Sequence, residues 1–272
     1  MVSPSQPALS VLLLSEDSGS DAFDTLQRLA KEILKQVDAY TQTQPARLSF
    51  EPVRSAEALR ALHANVWKSE KARDRRHQVE LVRTLATQLL RDHGWAFFHF
   101  DGDRPWSERS SSENVAKFSQ LIEAKVYTLI VEQFSTRATR AATPVAQQEV
   151  EAQARQRMNR LKRIVPFYSI EAWLFQNTRV AIRLCERHYG GRDADQFQRW
   201  EQERHTLDEV RKPKEQVCLG AKHNSALASE AFPARDVHAA GCSFASVVDK
   251  LCQDEELRKA LQQTYDFPVT SV

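Results

Sequence analysis

Glycine is scarce in this chain, with seven in 272 residues. None falls in a GxxxxGK(S/T) or GxGxxG run, so a glycine-rich loop cradling nucleotide phosphates has no support. The four cysteines, Cys185, Cys218, Cys242 and Cys252, include no CxxC pair, and the eight histidines form no HExxH. That spacing argues against a structural zinc site and for reduced thiols in a cytoplasmic protein. No apolar stretch approaches the roughly 20 residues that cross a bilayer. No basic segment precedes the first apolar run, so neither a membrane span nor a secretory signal is expected. An excess of one charge is also lacking: 38 Lys and Arg stand against 36 Asp and Glu, for a formal net charge of +2. The balance argues neither for nor against nucleic acid as a partner. No internal repeat is evident.

A hydrophobic fraction of 42% is enough for one large core or two modest ones. Apolar runs at 8–16, 46–53, 95–101 and 126–132 read as strands, and amphipathic stretches at 21–40, 55–65, 78–92 and 112–124 read as helices. Alternation of this kind predicts a parallel sheet with helices on both faces. Pro144 opens a polar helical stretch through Arg163, residues 164–168 return to the sheet, and a helix over 170–189 ends at Gly190-Gly191. Beyond that break the pattern is mostly helical. Residues 192–211 form a polar helix anchored by Trp200, 221–238 a loop or short helices, and 243–264 a final helix with Phe244, Val247, Val248 and Leu251 inward. The expected organisation is an α/β core over 1–190 and a helical elaboration over 191–272, packed together as one compact domain.

Three strand ends carry acids. The run from Trp95 to Phe100 stops on Asp101-Gly102-Asp103. Residues two apart on an extended backbone point the same way, and the carboxyl ends of parallel strands are where open α/β sheets bind ligands. Paired carboxylates there offer hard oxygen ligands suited to Mg²⁺; for a DxD taken alone, a solvated turn capping the next helix is the commoner explanation. Ala8 to Leu14 runs into Ser15-Glu16-Asp17-Ser18-Gly19-Ser20-Asp21. Helix capping by Ser20 or Asp21 accounts for one of these residues but not for Glu16 at the strand end. At the third junction Ser169 caps a helix whose first turn holds Glu171, a position that suits either the helix dipole or a metal. His99 shares a strand face with Asp101 by alternation, and both a structural and a catalytic histidine fit there.

Together these segments resemble the Toprim domain, and most closely the small stand-alone Toprim proteins related to the nuclease half of the overcoming-lysogenisation-defect family. Glu16 and the pair Asp101/Asp103 fit the family's glutamate and DxD. Ile170-Glu171-Ala172-Trp173-Leu174 matches its helix start, Lys212-Pro213-Lys214-Glu215 its Pro-Lys-Glu element, and Ser243-Phe244 its last helix. The family places an acid four residues after its glutamate. Here Asp21 lies five after Glu16 and four after Asp17, so either can stand at that position, and Glu16 directly follows the strand. The resemblance implies a Toprim-like Rossmannoid sheet with Glu16, Asp101 and Asp103 catalytic. It further implies Mg²⁺ or Mn²⁺ held by Glu16, Asp21, Asp101, Asp103 and Glu171.

Basic residues cluster at Lys68, Lys71, Arg73, Arg75 and Arg76, and again at Arg155, Arg157, Arg160, Lys162 and Arg163. Either cluster suits phosphate contact or a solvated helix face. Lys212, Lys214, Arg160 and Arg163 are the expected phosphate-binding residues. The function implied is a Mg²⁺-dependent nuclease acting on DNA or RNA, in anti-phage or anti-plasmid defence with an ATPase partner. Two alternatives stand beside it: a non-catalytic Toprim scaffold that docks a partner, and a primase-like nucleotidyl transferase.

Overall fold

The computed structural model of the chain describes residues 9–17, 19, 21–40, 48–108, 111–140, 147–229 and 231–262. Four strands, β1 (Leu9–Ser15), β2 (Leu48–Pro52), β3 (Gly94–His99) and β4 (Leu161–Ile164), form one sheet in the order β2-β1-β3-β4. Every pairing is parallel, which makes this an α/β protein of Rossmann-like build. The chain leaves β1 toward β2 on one side and reaches β3 on the other, so the order reverses between β1 and β3. A crevice opens outside the carboxyl ends of such a strand pair. Glu16 follows β1 and Asp101 follows β3, and the Glu16 N–H extends the ladder to the His99 carbonyl at 3.2 Å.

Strand alternation sorts the core into two layers. Leu9, Val11, Leu13, Trp95, Phe97 and Ile164 face one side of the sheet. There they meet α1 (Ala22–Leu34), α7 (Glu171–Leu174), α8 (Thr178–Tyr189), α9 (Ala194–Gln202), α10 (Asn224–Leu227), α11 (Ala234–Ala239), α12 (Cys242–Cys252) and α13 (Glu255–Gln262). Leu12, Leu14, Ala96, Phe98 and Phe100 face the other, covered by α2 (Ala56–His63), α3 (Arg75–Leu90), α4 (Glu113–Phe118), α5 (Ala124–Arg140) and α6 (Gln147–Met158). The carboxyl-terminal helices thus share a core with one face of the sheet. No helix of the described residues is long and apolar enough to cross a membrane.

Several expected elements change. The run at 126–132 is not a strand but part of α5, which continues α4 through a π-helical turn at Ser119–Glu123. Val126 and Ile130, four apart, are fully buried on one helix face, and this period outweighs the β-branched composition. The polar helix ends at Met158, and β4 takes Leu161–Ile164, earlier than the expected 164–168. The helix over 170–189 is two helices broken at 175–177, where the Asn177 side chain bonds the Leu227 carbonyl at 2.9 Å. The helix over 192–211 stops at Gln202 and gives way to a 3₁₀ turn at Arg204–Glu209, and the final helix is split by Gln253-Asp254. Residue 8, residues 46–47, the start at Pro144 and residues 263–264 lie outside the described residues.

Candidate functional site

The acidic hinge after β3 is built by backbone pairing. The N–H groups of Gly102, Asp103 and Arg104 donate to the carbonyls of Pro166, Tyr168 and Phe167 at 3.2, 3.0 and 3.1 Å. The two chains run so close that a Cβ on Gly102 would stand 2.3 Å from the Phe167 carbonyl oxygen, so the middle residue of the DGD must be glycine. Asp103 then turns through a left-handed conformation at φ 58°, one that Asp tolerates better than most residues. Asn114, at the start of α4, donates to the Asp101 carbonyl at 2.8 Å and to Asp103 Oδ2 at 2.6 Å.

Glu16 reaches this hinge from β1. Its Oε1 accepts the Asp101 N–H at 2.6 Å, and its Oε2 is buried without a hydrogen-bond partner. Asp101 Oδ1 accepts the Ile170 N–H at 3.0 Å, which joins β3 to α7. Glu171 follows at once. Its side chain is buried, with Oε1 3.8 Å from Lys214 Nζ and Oε2 lacking a hydrogen-bond partner. His99 is fully buried beneath these acids, with Nε2 3.5 Å from Asp101 Oδ1, and Nδ1 3.1 Å from Ser15 Oγ and 3.9 Å from Asp17 Oδ2.

One cation enters among the acids. Lys68 Nζ stands 3.4 Å from Asn114 Oδ1, 3.8 Å from Glu16 Oε2 and 4.0 Å from Asp103 Oδ2. Its place is set by its neighbour. Trp67 is wholly buried, with ring centroids 5.8, 5.2 and 5.9 Å from Phe98, Phe100 and Phe118. Gln78 pins the 3₁₀ turn Val66–Lys68, which carries both residues, by donating to the Val66 carbonyl at 2.9 Å.

The electrostatics follow from burial and crowding. Burial, then the charge of Asp101, pushes Glu16 up to about 7. Asp101 is raised as well, by burial first and by Glu171 and Asp17, against the pull of His99. Burial opposes a charge on His99, but Asp101, Asp17 and Glu16 prevail and push it up to about 9. Both shifts favour the protonated form of their group, the imidazolium at His99 and the neutral acid at Glu16.

The structure gathers Glu16, Asp101, Asp103 and Glu171, with Lys214, at one sheet edge. Asp21 stands exposed at the start of α1, its carbonyl accepting the Thr25 N–H at 2.8 Å; Asp17 is the residue of this loop that meets His99. Lys212 is exposed and paired with Glu215 at 3.0 Å. Arg163 on β4 pairs with Glu123 at 3.6 Å. It lines a groove of about 440 Å³ that borders the hinge at Gly102. Arg160 belongs elsewhere. It precedes β4 at the opposite edge of the sheet, bonded to Glu256 at 2.6 Å and to the Asp92 carbonyl at 2.7 Å. Its charge is spent on joining the edge together.

Sequence reasoning missed three participants. Asn114 carries no local signal. Lys68 was visible as part of a basic cluster, but only the Trp67 anchor brings it inward. The third is a separate group. Among the described residues, the His, Cys, Asp and Glu side chains whose ligand atoms all lie within 4.8 Å of one another are Cys185, Asp193 and Cys218. This group could hold a metal ion. Its members are eight and 25 residues apart, a spacing no linear motif marks. The crevice carboxylates stand further apart: Glu16, Asp101 and Asp103 each accept an N–H, and Glu171 lies 3.8 Å from Lys214.

Fold and site define an all-parallel α/β protein with an acidic crevice at the switch point of its sheet. Comparison with family models, curated proteins and solved structures finds no match to this chain. The Toprim resemblance rests on the residues quoted for it.

Proposed function

We propose that the crevice binds a divalent cation and that the protein is a Mg²⁺- or Mn²⁺-dependent nuclease of Toprim type. The observation that carries this reading is Lys68. Its ammonium stands among Glu16, Asp103 and Asn114, so these oxygens are already arranged about a positive charge. The donor set fits a hard cation, since it consists of carboxylates. The buried Oε2 atoms of Glu16 and Glu171, which lack hydrogen-bond partners, supply unused ligand positions. Asp101, Asp103, Glu16 and Glu171 would hold the ion. When bound, such an ion polarises a phosphoryl oxygen and stabilises the leaving oxygen.

The chain's own residues divide the remaining work. His99 stays charged and holds Asp101 in place from below. Glu16 either lends Oε2 to the ion or, left free of it, takes or returns a proton there. Lys214 beside Glu171 meets a phosphate, with Lys212 and Arg163 extending the positive surface along a nucleic-acid backbone. An ATPase partner enters this proposal only through the resemblance, and a cytoplasmic location through the cysteine spacing.

The test is incubation of the purified protein with labelled DNA and tRNA, in Mg²⁺ or Mn²⁺ and in EDTA. Cleavage that EDTA abolishes is expected. Asp101→Asn, which keeps an acceptor for the Ile170 N–H, should lower it by roughly 100-fold or more, the several kcal/mol that metal positioning supplies. Cleavage that persists in EDTA, or that survives Asp101→Asn unchanged, would remove the reading.

A further inference from the structure

The group formed by Cys185, Asp193 and Cys218 takes no part in the acidic crevice. Three separate pieces of chain build it. Cys185 lies in α8 and is fully buried. Gly190 and Gly191, both left-handed at φ 63° and 75°, turn the chain sharply back, so that Asp193 arrives over Cys185 with its N–H 3.4 Å from the Cys185 sulfur. Left-handed glycines are what such a return requires. Cys218 comes from a loop whose flanking residues, Val217 and Leu219, are buried in the core. Its N–H donates to Asp193 Oδ2 at 2.6 Å, and its sulfur lies 2.8 Å from that of Cys185.

We propose that Cys185, Asp193 and Cys218 bind a thiophilic divalent cation of the Zn²⁺ class. Two sulfurs and a carboxylate oxygen are the ligand types such an ion selects, and hard Mg²⁺ does not favour thiolates. Cys218 and Asp193 are half-buried whereas Cys185 is sealed, so a fourth position opens on the Asp193–Cys218 side, where water completes a tetrahedron. Binding breaks two S–H bonds and forms two sulfur–metal bonds. Two protons leave to solvent, and nothing is oxidised or reduced. The ion ties α8, the start of α9 and the 217–219 loop together, and so acts as a staple within the carboxyl-terminal helices. Oxidation would join the same two sulfurs and leave Asp193 only its bonds from the Cys218 N–H and Arg192, and that is the competing outcome.

The test uses the full-length reduced protein, stripped with a chelator and titrated with Co²⁺. A sulfur-to-cobalt charge-transfer band should grow to one equivalent and vanish when Zn²⁺ is added, whereas Mg²⁺ should leave it in place. The band reports sulfur ligation, so cobalt held by the carboxylate crevice does not contribute, and this result is independent of the proposed nuclease. Cys218→Ser should weaken Co²⁺ binding at least about tenfold and abolish the rise in melting temperature that Zn²⁺ gives the wild type. Asp193→Asn, which retains an acceptor for the Cys218 N–H, should weaken binding without unfolding the chain, and Cys242→Ser should change neither readout. Absence of the band in the reduced protein, or a band that Cys218→Ser leaves intact, would overturn the assignment. So would a wild-type melting temperature indifferent to Zn²⁺.

Discussion

The two edges of one sheet treat charge in opposite ways. At the amino edge, charges are matched one to one: Arg160 with Glu256 at 2.6 Å, Arg157 with Asp92 at 3.5 Å, and Lys162, within β4, with Asp254. At the carboxyl edge, Asp101, Asp17 and Glu16 act on His99, Asp103 and Glu171 stand at the same hinge, and Lys68 and Lys214 reach in. There burial and crowding work against the charged forms of the acids. Glu16 and Asp101 are held above the usual carboxylate range, and two buried carboxylate oxygens lack partners. Charges are satisfied at one edge and left in conflict at the other, and that contrast is the ground on which the carboxyl edge is proposed to take a ligand. The cations follow the same division. Arg160 is committed to a glutamate and two carbonyls, whereas Lys68 stands near three oxygens at distances of 3.4 to 4.0 Å, close enough to neutralise them and loose enough to be displaced.

The largest expected effect lies in the pH dependence of the metal-free protein. Glu16 is raised from 4.5 to about 7. Its stabilising contribution is complete below 4.5 and is lost as pH rises through 7. The loss is on the order of 3 kcal/mol, at ~1.4 kcal/mol per unit. His99, raised from 6.5 to about 9, adds stability that is complete below 6.5 and lost as pH rises through 9. Melting temperature should therefore fall from mildly acid to alkaline pH. Glu16→Gln should flatten the lower part of that fall, and Mn²⁺ should reverse it in the wild type. Scanning calorimetry over this range checks all three, and a wild-type profile that rises between pH 5 and 7 would break the contrast between the edges.

Arg160→Ala probes the other side of the comparison. It removes an ion pair and bonds to two backbone carbonyls, so denaturant unfolding should show a loss of about 1–3 kcal/mol. Affinity for metal and for nucleic acid should not change. A fall in DNA or RNA binding without loss of stability would return Arg160 to the phosphate-binding residues. The smallest effect belongs to Lys212→Ala. Its side chain is exposed and paired only with Glu215 among the contacts described, so the denaturant midpoint should not move measurably. Binding of a labelled oligonucleotide should weaken slightly, with a shallower dependence on salt.

Much of this was legible in the sequence, and for a physical reason. Parallel strands are buried on both faces, so β1 and β3 read as unbroken apolar runs, and their acids mark the carboxyl edge plainly. At the edge of the sheet the reading was poorer. Among the described residues β4 pairs only with β3 and keeps just Leu161 and Ile164 buried, one on each face, too brief a pattern to separate from the polar helix before it. The 126–132 run misled because Val126, Ile130 and Val131 favour strands as isolated residues, and only the spacing of the buried pair tells the helix. In the site, hinge acids could be found because chain position alone places them. Lys68, Asn114 and the Cys185–Asp193–Cys218 group could not, because each depends on tertiary packing between distant segments.

The account turns on whether the carboxyl edge accepts a divalent cation in the place that Lys68 now neutralises. Calorimetric titration with Mn²⁺ tests this directly, on the wild type, the Asp101→Asn/Asp103→Asn double variant and Lys68→Met. The account predicts saturable binding in the wild type, its loss in the double variant, and tighter binding in Lys68→Met, where the competing ammonium is gone. Equal affinity in the wild type and the double variant, or no binding in either, would contradict it.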